Sequence, residues 1–187
     1  MLRALHDTLH TICDKLGMPL GVGAQAHRAL LNGRDKMSSN ACQIAIALQD
    51  AGHETYLVGG CVRDVLCGIK PKDFDIATAA TPEKVKKVFG RKARIIGRRF
   101  KIVHVIEGGE LIEVSTFRGQ ASWLEQLWGG QRQNNNIYGS LVQDVWRRDF
   151  SCNALYYDVK TDEMLDYVEG IAAINKKIIQ VLGEPAK

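Results

Sequence analysis

The sequence has no apolar run that could span a bilayer. Its longest stretches, such as IAIAL at 44–48, are a few residues long, whereas a membrane helix needs about twenty. The N-terminal stretch does not read as a hydrophobic leader either, because Asp7 and Asp14 interrupt it. The five cysteines (Cys13, Cys42, Cys61, Cys67 and Cys152) are odd in number and form no CxxC pair, which argues against a disulfide framework and a zinc ribbon. His6, His10 and Cys13 share a helical face at ligand-like spacing, but ordinary helix surfaces produce such sets. Low-complexity tracts and internal repeats are absent. What remains is a cytoplasmic globular protein with free thiols. One further absence is local: between Lys84 and Lys101 there are nine Lys or Arg and no Asp or Glu. Such a patch suits phosphate backbones, and a solvated helix face and loop would read the same way.

The chain has 187 residues, 45% of them apolar and 25% charged, with a net charge of +4. That is enough for one globular domain with a short appendage. Residues 1–26 read as an amphipathic helical extension with a Gly-rich turn, and 1–36 as an N-terminal extension ahead of a domain at 37–187. A helix is predicted from Ser39, with Ala41, Ile44, Ala45, Leu48 and Ala51 at helical spacing and Gly52 as its stop. TYLV at 55–58 and FDIAT at 74–78 read as strands, and Thr81-Pro82-Glu83 as a helix start. KIVHVI at 101–106 and LIEVSTF at 111–117 flank Gly108-Gly109 as a hairpin. Residues 118–139 read as a loop, followed by a helix from Ser140, a small hairpin (LYYDV, MLDYV) and a short helix. The order predicts an α+β fold: a small mixed sheet with helices packed on one face.

Four clusters carry possible chemistry. A strand ending in Gly59-Gly60 and opening a helix offers backbone N–H groups to an anion, with Arg63 one turn on. Many such glycine pairs are only tight turns. In Asp73-Phe74-Asp75 the alternation of a strand turns both carboxylates to one side, where they would repel without a cation between them. Two solvated acids on an exposed strand fit equally. Glu113 stands among apolar residues on a predicted strand, an expensive place for an acid unless it is paired, metal-bound or on an open face. Arg147, Arg148 and Asp149, with Asn153 further on, could bind a triphosphate and a ribose or form a structural ion pair.

In order and spacing, LVGG-x-VRD, DFD, IEVSTFR and RRDF-x-x-NALYYD resemble the class II tRNA nucleotidyltransferase and bacterial poly(A) polymerase superfamily. The resemblance runs from about Arg34 to Gly183, some four fifths of the chain. It implies a polymerase-beta-like catalytic head in which Asp73, Asp75 and Glu113 hold two Mg²⁺ ions. It further implies that Gly59, Gly60 and Arg63 cradle the triphosphate. Arg148 and Asp149 would contact the nucleotide, with Asp149 among the catalytic acids and Asn153 supporting them. Arg98 and Arg99 lie in IIGRRFKIVHV (95–105), which resembles a signature of the polyadenylating branch; they are the expected RNA phosphate contacts. The implied activity is template-independent addition of AMP from ATP to RNA 3′ ends. A CCA-adding head is the alternative, and a truncated fragment that binds nucleotide or RNA without turnover is a third reading. Family members continue with a helical neck holding ED-x-x-R, then body and tail, and the expectation is a head without them.

Overall fold

A single sheet takes its strands from β1 (His27–Leu30), β2 (Thr55–Val58), β3 (Asp75–Thr78), β4 (Ala93–Ile96), β5 (Ile102–Glu107), β6 (Glu110–Thr116), β7 (Leu155–Asp158) and β8 (Glu163–Asp166). The helices are α1 (Ser39–Asp50), α2 (Gly60–Leu66), α3 (Pro82–Phe89), α4 (Leu141–Trp146) and α5 (Gly170–Lys176). The structure is a computed structural model describing residues 33–98, 100–119 and 138–182, together with the backbone of 27–30. The expected N-terminal helix, most of the loop at 118–139 and Arg99 fall outside the described residues.

The strand order is β1-β8-β7-β2-β3-β6-β5-β4. All neighbours run antiparallel except β3 and β6, which are parallel and set Asp75 beside Glu113. A parallel pair needs a crossover, and α3, β4 and β5 supply it.

Local chemistry fixes the helices as the sequence predicts. Ser38 caps α1, its hydroxyl accepting from the Ala41 N–H at 3.2 Å. The same hydroxyl donates to Glu110 at 2.5 Å, tying the helix start to β6. Ala41, Ile44, Ala45 and Leu48 are buried on one stripe, and Gly52 follows with φ +81. Thr81 caps α3, with Pro82 in its first turn.

Strand alternation sorts the sheet into two faces. Leu57, Ile76, Val103, Val105, Ile112 and Val114 pack into a core with α1, α2 and α3. Burying each such side chain contributes about 1.5–3 kcal/mol. On the other face Tyr56, Val58, Ala77, Phe117 and Tyr156 are covered by Leu141 and Val145 of α4. The expected helical layer is thus joined by a short helix on the opposite face. That second cover ends before the β4–β5–β6 wing, where Ile106 and Leu111 are 53% and 52% exposed.

Two strands were not predicted. β4 lies inside the basic stretch, where Arg94 points out while Ala93 is buried, so charge hides a short edge strand. β1 comes from the segment read as an extension and pairs with β8. Among the described residues, no helix is long and apolar enough to cross a membrane.

Candidate active site

Gly59, between β2 and α2, has φ 80 and ψ −135, a backbone conformation essentially reserved for glycine. A Cβ there would lie 3.6 Å from Arg148 Nη1, 3.9 Å from the Asn153 carbonyl oxygen and 4.0 Å from Asp75 Oδ2. One missing side chain therefore lets groups from three distant stretches of sequence converge. A Cβ at Gly60 would lie 3.6 Å from Arg63 Nη2, and the first turn of α2 leaves backbone N–H groups without intrahelical partners. Gly59→Ala is expected to lower stability by about 1–3 kcal/mol through backbone strain, read by urea unfolding. The new methyl group would also fill the gap between Arg148, Asn153 and Asp75.

The acids arrange themselves around that point. Asp75 opens β3 opposite Val58 on β2 and Glu113 on β6. Phe74 is buried in the helix-side core, and Asp73, just before the strand, is exposed. Although Asp75 is open to solvent as a residue, loss of water around its carboxyl is the largest cause raising its pKa. The neighbouring Glu113 adds to the shift, the Arg148 guanidinium opposes it, and Asp73 adds again. Glu113 sits between buried Ile112 and Val114 and is itself exposed, so it occupies the face away from α1–α3. His104, its cross-strand neighbour on β5, places Nε2 3.4 Å from Glu113 Oε1.

Hard carboxylate oxygens suit a divalent cation such as magnesium, and the mutual repulsion at Asp75 is the charge such an ion would relieve. Among the described residues no group of three or more His, Cys, Asp or Glu side chains forms a ready-made cage. Magnesium does not require one, since it commonly takes one or two carboxylates and fills its remaining positions with water and substrate phosphates. The donor set therefore fits that ion.

Arg148 reaches the site because four groups hold it. Its Nε donates to the Tyr156 hydroxyl at 2.8 Å, its Nη2 to Asp144 at 3.1 Å and its Nη1 to the Asn153 carbonyl at 3.2 Å. Its guanidinium carbon also lies 5.1 Å from the centre of the Tyr156 ring. Asn153 in turn accepts from Arg63 Nη1 at 2.7 Å, and Arg63 is further held by Asp64. The two arginines are thus joined through Asn153.

Asp144 was not singled out by the sequence, yet it is the hub. It accepts from Arg147 Nε at 2.9 Å, Tyr156 OH at 2.8 Å and the Arg118 N–H at 3.0 Å, besides Arg148. Its side chain is 2% exposed. The readable signal was its position three and four residues before two arginines, the spacing of neighbours on a helix.

Asp149 behaves differently from Arg148. α4 stops at Trp146, after which Asp149 is exposed and its carboxylate accepts from the Phe150 N–H at 2.9 Å. Among the described residues, no hydrogen bond or ion pair joins it to Asp75 or Glu113. Arg98 is exposed in the turn between β4 and β5. That turn begins at Gly97, with φ +89, where a Cβ would run into the Phe100 carbonyl. The Phe100 ring lies 5.0 Å from the Arg118 guanidinium, so the turn reaches towards the Asp144 hub.

Residues 55–180 match the family described as the Poly A polymerase head domain. The chain is 45% identical over 159 residues to Poly(A) polymerase I of Salmonella typhi, a match covering 81% of this chain and 34% of the relative. It is 35% identical over 151 residues to the CCA-adding enzyme of Staphylococcus haemolyticus, covering 80% and 36%. Among solved structures, the Bacillus stearothermophilus CCA-adding enzyme in complex with CTP superposes with a TM-score of 0.65 at 34% identity, covering 79% of this chain and 35% of that one. The chain spans about a third of the length of the curated relatives it matches. The matched region contains β2, the Gly59 junction, Asp73, Asp75 and Glu113, and the Asp144 hub: this chain belongs to the poly(A) polymerase head-domain family.

Proposed function

We propose that the chain is the catalytic head of a template-independent RNA nucleotidyltransferase that adds AMP from ATP to RNA 3′ ends. The observation that carries this reading is the convergence of Arg148, Asn153 and Asp75 on Gly59, with Glu113 in register beside Asp75. Gly59, Gly60 and Arg63 cradle the triphosphate, and Arg148 offsets charge on the departing pyrophosphate. Asn153 aligns the two arginines. Asp149 approaches the ribose from the rim, and Arg98 and Arg99 contact RNA phosphates. Asp73, Asp75 and Glu113 would hold two Mg²⁺ ions, which when bound lower the pKa of an attacking hydroxyl and neutralise phosphate charge. Positioning and charge neutralisation suffice for this transfer, so no covalent enzyme intermediate is involved. The reading includes a cytoplasmic location.

Adenylate addition is preferred to CCA addition because of the IIGRRFKIVHV stretch and the higher identity to poly(A) polymerases. The groups gathered at Gly59 read phosphate and ribose, which ATP, CTP, GTP and UTP share. The chain is therefore expected to bind all four in a magnesium-dependent manner, with discrimination below about tenfold, or about 1.4 kcal/mol. Titration with each nucleotide, with and without Mg²⁺, tests this. Binding indifferent to Mg²⁺ would remove the acids from the site, and a strong ATP preference would place base selection within this chain.

A further inference from the structure

The triphosphate groups all lie to one side of Asp75. Gly59 follows β2, Asn153 precedes β7, and Arg148 is bonded to Tyr156 on β7. On the other side, one row of cross-strand partners runs Asp75, Glu113, His104, Arg94 over β3, β6, β5 and β4. Phosphoryl transfer places the attacking and leaving oxygens roughly in line across the phosphorus. If pyrophosphate leaves towards β2 and β7, the acceptor approaches over β6, β5 and β4.

That wing has the surface such an approach needs. Among the described residues no helix covers its face, and Ile106 and Leu111 lie half exposed side by side. At its far edge opens a concavity of about 580 Å³, lined by these two residues and by His104, Arg94, Arg91 and Lys92 among others, with no acid in the lining. Lys92 is paired with Glu107 at 2.8 Å, and Lys86, also in the lining, donates to the Gly90 and Ala93 carbonyls. Arg91 and Arg94 make no hydrogen bond or ion pair with their side chains among the described residues, so their charge is available. Strands about 4.8 Å apart put Arg94 about 14 Å from Asp75 along the sheet, within the span of the last few nucleotides of an extended strand.

We infer that the RNA acceptor strand crosses the β6–β5–β4 wing, with Arg94 and Arg91 holding phosphates behind the 3′ end. Ile106, Leu111 and His104 provide the surface for its bases and sugars. A basic track beside a flat, partly apolar platform is how single strands are gripped without sequence reading. The inference rests on the nucleotidyltransferase reading and adds the path of the acceptor to it.

The probe is a 5′-fluorescein oligoadenylate of about twelve nucleotides, titrated by anisotropy against the 187-residue chain over a range of salt. The double variant Arg91→Gln, Arg94→Gln is expected to weaken binding about fivefold or more at low salt, and to lower the salt slope by about 1.4, the value for two single-strand phosphate contacts. Lys160→Gln, a charge loss in the β7–β8 turn, should change neither, and magnesium-dependent ATP binding should survive in both variants. In the unsubstituted chain, 4-thiouridine placed near the 3′ end should crosslink to residues of β4 or β5, a result independent of how the variants fold. The inference is overturned by an unchanged affinity and slope in the double variant, by crosslinks confined elsewhere, or by an acidic peptide competing as well as RNA. It is equally overturned if the parent chain binds no oligoadenylate. Loss of magnesium-dependent ATP binding in the parent would instead overturn the nucleotidyltransferase reading, so the two failures are separable.

Discussion

Asp75→Asn is expected to abolish magnesium-dependent nucleotide addition while making the metal-free fold more resistant to heat. The substitution keeps shape and removes one charge. At Asp75 that charge is disfavoured by burial and by Glu113 and Asp73, with only Arg148 in opposition. Removing it relieves strain in the empty site, so the melting temperature without metal should rise, the usual exchange of stability for function at a catalytic centre. The same change removes an oxygen donor of full negative charge. Addition of AMP to an oligoribonucleotide should fall at least about a thousandfold, or about 4 kcal/mol of barrier, and Mn²⁺ affinity measured by calorimetry should fall with it. A loss smaller than about tenfold, or about 1.4 kcal/mol, is too small for a metal ligand and would remove Asp75 from that role.

The second large effect belongs to Asp144. Asp144→Ala leaves Arg148 and the Tyr156 hydroxyl without their shared acceptor in a buried place and strips the Arg118 N–H of its partner. Breaking a buried charge pair on one side costs about 3–5 kcal/mol, which urea denaturation would register as a lower midpoint. Asp144→Asn should recover only part of this, since an amide can accept from one guanidinium but carries no charge. Burial would raise the Asp144 pKa. Arg148, the Arg118 N–H, Arg147 and Tyr156 together outweigh it and hold the carboxyl below its ordinary value. A group whose folded pKa is lowered contributes stability that is fully present above its unfolded pKa and is lost as pH falls through the folded one. The contribution is therefore complete at neutral pH and disappears only below about pH 4, the ordinary Asp value. The variant's unfolding midpoint should converge on that of the parent in that acid range, and a constant gap at all pH values would contradict the account.

The two cases also show which parts of the site the sequence could reveal. Asp75 was legible because strand alternation alone turns it away from Phe74. Glu113 was legible because an acid between Ile112 and Val114 must face outwards or be paired. Their meeting was not legible from alternation, since it depends on β3 and β6 being parallel neighbours although β4 and β5 lie between them in the chain. Asp144 escaped notice because its partners come from three elements, and only Arg147 and Arg148 are close in sequence. The Arg147-Arg148-Asp149 run illustrates the limit from the other side. The chain leaves the helix at Trp146, so three adjacent charges divide: Arg147 and Arg148 both pair with Asp144, Arg148 also reaches Gly59, and Asp149 stays at the surface. β2, α1 and the β5–β6 hairpin appear as expected because their patterns are local. β4 does not, because at an outer strand only half of the residues must be apolar and the rest can be arginine.

Among the described residues β4 is also one of the two borders of the sheet that pair on one side only. A border strand presents unsatisfied N–H and C=O groups to any extended chain that passes, and is a standing invitation to stack sheet on sheet between molecules. Arg91, Lys92 and Arg94 line this border, and two copies brought edge to edge would confront like charge with like charge. The guanidiniums that suit this strip to a polyanion therefore also oppose the addition of a strand borrowed from a second copy. Neutralising them leaves the border open to self-association.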